Sequence, residues 1–186
     1  MKKICVFCAC REGNDPAFRE AAQSLGSHLV NRNIDLVYGG SNCGLMGVLA
    51  ESVLSAGGKV TAVMPKNLKI RAGHKKGTEL ILVNSMHERK QKMFDLSDAF
   101  IALPGGFGTL DEISEQLVWS QLGYSRKPCG FLNINGYYDH LLNFLNHATD
   151  EGLVSRHHRV LAYATPDIEE LLDKFKIFQP ELCTKV

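Results

Sequence analysis

A carboxylate, an arginine and a run of glycines are the residues of this chain best placed by type and spacing to act on a small anion. The glycines lie in Leu103-Pro104-Gly105-Gly106-Phe107-Gly108-Thr109-Leu110-Asp111-Glu112, directly after the apolar run Ala99 to Leu103. Gly105, Gly106 and Gly108 have no Cβ and tolerate positive φ, so backbone N–H groups can converge on one ligand. Thr109 then reads as the start of a helix, whose unpaired donors and positive dipole end favour a phosphate. Glu112 has two readings. Thr109-Leu110-Asp111-Glu112 fits a capping box, which alone explains the acid. A first-turn carboxylate also stays ionised in the helix dipole and suits the stabilisation of positive charge.

Arg89 lies three residues after Met86 and four before Met93, on their apolar face. An arginine turned inward must find an anion, either a carboxylate or a ligand. Lys90 is four residues after Met86 and offers a second cation, although Glu88-Arg89-Lys90-Gln91-Lys92 by itself also fits a solvated surface run. A second glycine group, Gly39-Gly40 with Gly44 and Gly47, fits a tight turn or a ligand site equally.

The elements that must position these residues alternate between apolar strand-like runs and amphipathic helices, the pattern of β-α-β units on a parallel sheet. Strands are expected at Ile4 to Phe7, Ile34 to Tyr38, Lys59 to Met64, Glu79 to Val83, Ala99 to Leu103 and Cys129 to Ile134, with a short one near Val160 to Tyr163. Asp15 followed by Pro16 opens the first helix. Further helices are expected at Leu45 to Ala56, Met86 to Leu96, Leu110 to Leu122, Tyr137 to Thr149 and Pro166 to Phe175, and a loop at Lys66 to Gly77. The fold class is therefore α/β, a Rossmann-like parallel sheet with helices on both faces, in one domain over residues 1–186. In such a sheet the carboxyl ends of the strands form the ligand crevice, so both glycine turns and the Cys8 to Asn14 loop meet there. Neither turn matches G-x-G-x-x-G, and G-x-x-x-x-G-K-[S/T] is absent, which disfavours a dinucleotide dehydrogenase and a P-loop ATPase.

Twenty-one basic against 20 acidic residues leave a net charge of +1, so no broad field draws the chain to nucleic acid or a membrane and phosphate recognition must be local. No window approaches the roughly 20 apolar residues of a membrane span. With no export signal read at Met1 to Phe7, a cytoplasmic location is expected. Cys5 and Cys8 sit in and at the end of a buried strand and have no partner pair at zinc-finger spacing, so a metal is not expected.

The pattern Pro-Gly-Gly-x-Gly-Thr-x-x-Glu, preceded by Met86-His87-Glu88-Arg89-Lys90, resembles the LONELY GUY family of cytokinin-activating phosphoribohydrolases. Val6-Phe7-Cys8, Leu36-Val37-Tyr38-Gly39-Gly40, Gly44-Leu45-Met46-Gly47, Trp119-Ser120-Gln121-Leu122-Gly123 and Gly136-Tyr137-Tyr138 extend the likeness nearly end to end. The resemblance implies cleavage of the N-glycosidic bond of an adenosine 5'-monophosphate, usually N6-prenylated, without cofactor or metal, in a homodimer. It places the catalytic pair on Arg89 and Glu112 and the phosphate loop on Gly105, Gly106, Phe107, Gly108 and Thr109. Gly39, Gly40, Gly44, Met86 and Lys90 would surround the substrate. Three places depart from the family pattern: Ala9-Cys10-Arg11 replaces Gly-Ser-Ser, Ser41-Asn42-Cys43 replaces a glycine-containing run, and Ala72 follows Arg71 where a glutamate is common. The alternative is a nucleotide-binding or carrier protein with the same crevice. The older description of such chains as lysine decarboxylases would require a pyridoxal phosphate Schiff base.

Overall fold

The computed structural model describes residues 1–68 and 75–179. Its strands are β1 (Lys3–Phe7), β2 (Asp35–Tyr38), β3 (Val60–Pro65), β4 (Glu79–Val83), β5 (Ala99–Ala102), β6 (Cys129–Leu132) and β7 (Tyr163–Thr165). All pair in parallel, in the order β4-β3-β2-β1-β5-β6-β7. The order reverses between β1 and β5, and this switch point is where a crevice opens at the strand ends.

Strict alternation divides the central strands between two cores. Ile4 and Val6 of β1 and Ile101 of β5 face one core with the helices α1 (Pro16–Asn31) and α2 (Gly44–Ser55). Cys5, Phe7 and Phe100 face the other, with α3 (Met86–Leu96) and α4 (Phe107–Gln121). Further along, α5 (Asp139–Asp150) packs on the second core, the short α6 (Arg156–Arg159) precedes β7, and α7 (Ile168–Lys176) returns to the first core. Phe94 of α3 stacks on Phe100, 5.9 Å between ring centroids, and meets Trp119 of α4 edge-on at 4.7 Å, which fixes α3 and α4 against the same strand.

Local signals in the sequence explain most boundaries. Asp15 caps α1 by accepting from the Ala17 N–H at 2.9 Å, with Pro16 at the first helical position. Ser85 caps α3 by accepting from the Glu88 N–H at 3.1 Å. Elsewhere the structure differs from the sequence expectation. The motif helix begins at Phe107, with Gly106 at the N-cap, and the Leu110 N–H already donates to the Gly106 carbonyl at 3.0 Å. Gly108 is thus helical, at a cost of only about 1 kcal/mol relative to alanine. The last strand is Tyr163–Thr165, because Ser155 caps the turn of α6 in front of it and leaves Val160 on the surface. The helix expected from Tyr137 begins at Asp139. Much of the loop expected at Lys66 to Gly77, including Arg71 and Ala72, lies outside the described residues.

Tyr137 and Tyr138 instead clamp the glycine turn. The Tyr138 hydroxyl, buried, donates to the Leu103 carbonyl at 2.6 Å, and that of Tyr137 donates to the Gly105 carbonyl at 2.7 Å. A Tyr138→Phe substitution strands the Leu103 carbonyl and is expected to lower stability by about 1–3 kcal/mol. Urea denaturation checks this as a lower midpoint at unchanged slope.

Candidate active site

β1 and β5 end side by side, so the Cys8 to Arg11 segment and the Pro104 to Gly106 turn share one rim; the Ala9 N–H donates to the Pro104 carbonyl at 3.2 Å. The cavity between them has a volume of about 330 Å3 and includes Arg89, Glu112, Gly39 and the stretch Gly106 to Thr109 among its walls. Arg89 reaches it from α3. Its Nη1 lies 3.0 Å from Glu112 Oε1, and its Nε donates to the carbonyl of Val63 in β3 at 3.1 Å. The close approach of the guanidinium requires glycine at 39, since a Cβ there would overlap Arg89 Nη2.

Glu112 is 7% exposed and lies on the second turn of α4, not at the N3 position of a capping box. The dipole argument for its ionisation therefore gives way to a balance. Burial pushes its pKa above the usual carboxylate range, and the Arg89 guanidinium opposes that rise. A buried ion pair adds little to stability compared with an apolar pair of similar volume. A displaced acid in a cavity wall makes Glu112 a candidate functional group.

The beginning of α4 has no side-chain cap, and the N–H groups of Phe107, Gly108 and Thr109 find no acceptor among the described residues. Gly106 and Gly108 face open space. These donors and the dipole lie at the wall of the same cavity as Glu112, an arrangement that can receive an anion. The other glycine turn is different: at the start of α2, the Leu45 N–H donates to the Arg11 carbonyl at 3.4 Å and the Met46 N–H to the Ala9 carbonyl at 3.3 Å. Its donors hold the neighbouring loop.

Several residues expected around a substrate consequently stand off the cavity. Gly44, at φ +58, presses against the backbone of Cys10 and Arg11, and Gly40 packs toward Met64. Gly105 sits against Thr109. Met86 is largely exposed at the first position of α3. Lys90 pairs with Glu115 at 3.0 Å and Asp111 at 3.4 Å; burial works against its charge, but these acids hold its pKa above the usual lysine value. Cys8, Ala9, Cys10, Arg11 and Met46 join the wall without having been singled out as contacts. The switch-point rule and the departure at Ala9-Cys10-Arg11 pointed to the first four, whereas Met46 carries no signal of its own. Burial raises the Cys8 thiol far above its usual pKa, so it is not a thiolate nucleophile. No group of side chains that could hold a metal ion occurs among the described residues.

Fold and site together define a doubly wound α/β protein with an uncapped helix start and a buried acid lining one cavity at its switch point. Residues 46–175 match the family model described as "Possible lysine decarboxylase". The chain is 47% identical over 182 residues to the cytokinin riboside 5'-monophosphate phosphoribohydrolase LOG7 of Arabidopsis thaliana, covering 97% of this chain and 83% of that one. It is 46% identical over 181 residues to a probable enzyme of the same name, LOGL9, from Oryza sativa subsp. japonica, covering 96% and 79%. The chain belongs to this LONELY GUY (LOG) family. Among solved structures, the molybdenum cofactor binding protein of Rippkaea orientalis superposes with a TM-score of 0.69 at 20% identity, covering 95% of this chain and 96% of that one. The molybdenum cofactor carrier protein of Chlamydomonas reinhardtii gives 0.67 at 18%, covering 94% and 96%. These two likenesses concern the fold.

Removing Arg89 removes the influence that lowers the Glu112 pKa and leaves the burial that raises it. Carboxyl-carbon NMR titration is expected to find Glu112 above the ordinary 4.5 in the native protein and higher still in Arg89→Ala.

Proposed function

We propose that this chain is a phosphoribohydrolase that cleaves the N-glycosidic bond of an adenosine 5'-monophosphate, N6-substituted or plain, releasing the free base and ribose 5-phosphate. The observation that carries the reading is the buried, Arg89-bound carboxylate of Glu112 in the same cavity as the uncapped start of α4. The 5'-phosphate sits on the N–H groups of Phe107, Gly108 and Thr109, which fixes the sugar with its anomeric carbon toward Glu112. As the C–N bond lengthens, positive charge develops on the ribose. A fixed carboxylate, itself almost fully buried, stabilises that charge and orients the attacking water, taking its proton. Arg89 holds the carboxylate in place and ionised. Being a permanent cation, Arg89 does not protonate the departing base; the base leaves with the bonding electron pair and takes up the proton released by the attacking water, passed on from Glu112 or through solvent.

Two other readings give different results. A carrier binds the nucleotide and turns nothing over; the relatives at 45–47% identity are named as phosphoribohydrolases, whereas the carriers share only the fold at about 20%. A pyridoxal phosphate decarboxylase needs a lysine for its Schiff base, and none lines this cavity among the described residues.

We also infer a homodimer. Val118 of α4, its C-cap Leu122 and the adjacent Tyr124 are 46%, 40% and 77% exposed, an apolar surface beyond what the sheet needs. The cytoplasm remains the expected compartment, and no described helix is long and apolar enough to cross a membrane.

The test is release of base from a panel of 5'-monophosphates, followed by chromatography. Glu112→Gln is expected to cut kcat by about 10²–10⁴-fold while nucleotide affinity stays near that of the native protein; equal turnover in the variant overturns the role of Glu112. Because the reaction needs the carboxylate, kcat/KM should fall as pH drops through the Glu112 pKa, with an acid-limb midpoint above 4.5. Light scattering coupled to gel filtration should give twice the 20.6 kDa chain mass, and Leu122→Glu should shift the mass toward one chain.

A further inference from the structure

The charge of the cavity wall is unbalanced at one residue. Its ionisable side chains include Arg89 and Glu112, which neutralise one another at 3.0 Å, and Arg11. Lys90, the other cation on α3 that faces α4, is occupied by Glu115 and Asp111. Arg11 is exposed and has no carboxylate partner among the described residues, unlike the nearby Arg19, which pairs with Glu12 at 2.7 Å. Its backbone is fixed: the Arg11 carbonyl accepts from Leu45, and Gly44 packs on the Arg11 amide. The side chain therefore extends from an anchored rim.

The position of that rim matters. A second, smaller cavity of about 120 Å3 is lined by Pro104 and Gly105 of the glycine turn, and Ala9, Arg11 and Gly106 border both. Arg11 thus borders both the cavity that holds the acid and the one lined by the Pro104–Gly105 stretch of the turn. A phosphate dianion on uncharged N–H donors alone keeps both of its negative charges, and a guanidinium balances one of them with directed donors.

We propose that Arg11 is the phosphate-neutralising cation of this site and sets its preference for a 5'-phosphorylated substrate over the free nucleoside. This rests on the nucleotide reading of the cavity given above. Arg11 touches the phosphate and not the reacting carbon, so it binds the ground state and the transition state equally. Its loss raises KM and leaves kcat.

The experiment compares native protein, Arg11→Gln, Arg11→Lys and the control Arg126→Gln, whose arginine is exposed and borders neither cavity. Kinetics on AMP are paired with calorimetric binding of ribose 5-phosphate and of adenosine. Arg11→Gln is expected to raise both the KM for AMP and the Kd of ribose 5-phosphate by roughly 10- to 100-fold, with kcat within about threefold. Adenosine binding should not change, which also reports an intact fold. Arg11→Lys should recover part of the loss, and Arg126→Gln should behave as native, which separates local contact from net charge. If Arg11→Gln binds ribose 5-phosphate as tightly as the native protein, the proposal is overturned. If the native protein releases no base yet binds ribose 5-phosphate in an Arg11-dependent way, the hydrolase reading fails and the assignment of Arg11 stands.

Discussion

A carboxylate cannot remain charged inside a protein without a partner, and in this molecule the partner of Glu112 must come from another part of the sheet. Arg89 meets that requirement only because α3 and α4 flank the same strand, β5, and because glycine at 39 leaves room for the guanidinium. The aromatic contacts of Phe94 with Phe100 and Trp119 set the distance between the helices, and the Val63 carbonyl sets the direction of the arginine. The pair is therefore a product of the whole switch-point architecture, with contributions from β2, β3, β5 and two helices.

A division of labour between the two glycine turns follows from where their N–H groups go. At the start of α2 the donors are satisfied by the Ala9 and Arg11 carbonyls, so that turn stiffens the rim. At the start of α4 the donors have no protein acceptor among the described residues, and a ligand can take them. Tyr137 and Tyr138 hold the second turn from behind through the Gly105 and Leu103 carbonyls, which keeps the donors aimed at the cavity without occupying them. The result is a preorganised seat, in which little reorganisation is needed when charge develops on a bound sugar.

Much of this was legible in the sequence because the relevant physics is local. The apolar run of β5, the Asp15-Pro16 start of α1 and the helical period of α3 each depend on a few neighbouring residues, and each lies within a residue or two of its expected place. The inward turn of Arg89 was readable from its spacing to Met86 and Met93. What was not legible depends on contacts distant in the chain. The sequence of Thr109 to Glu112 looks like a capping box, and only the packing of α4 shows the helix starting three residues earlier, at Phe107, which moves Glu112 to the second turn and toward Arg89. Lys90 differs from Arg89 by one position and about 100° of helix rotation, enough to deliver it to Glu115 and Asp111 instead of the cavity. The glycines at 40 and 44 fitted a tight turn or a ligand site equally by sequence, and only the family resemblance put them beside the substrate; their neighbours are Met64 and the Cys10–Arg11 backbone.

The most direct check is a crystal structure of the Glu112→Gln protein with an intact adenosine 5'-monophosphate bound. The account predicts the phosphate on the amides of Phe107 to Thr109 and the anomeric carbon facing the side chain at position 112. A nucleotide bound with its phosphate elsewhere, or with its sugar turned away from that side chain, would contradict it.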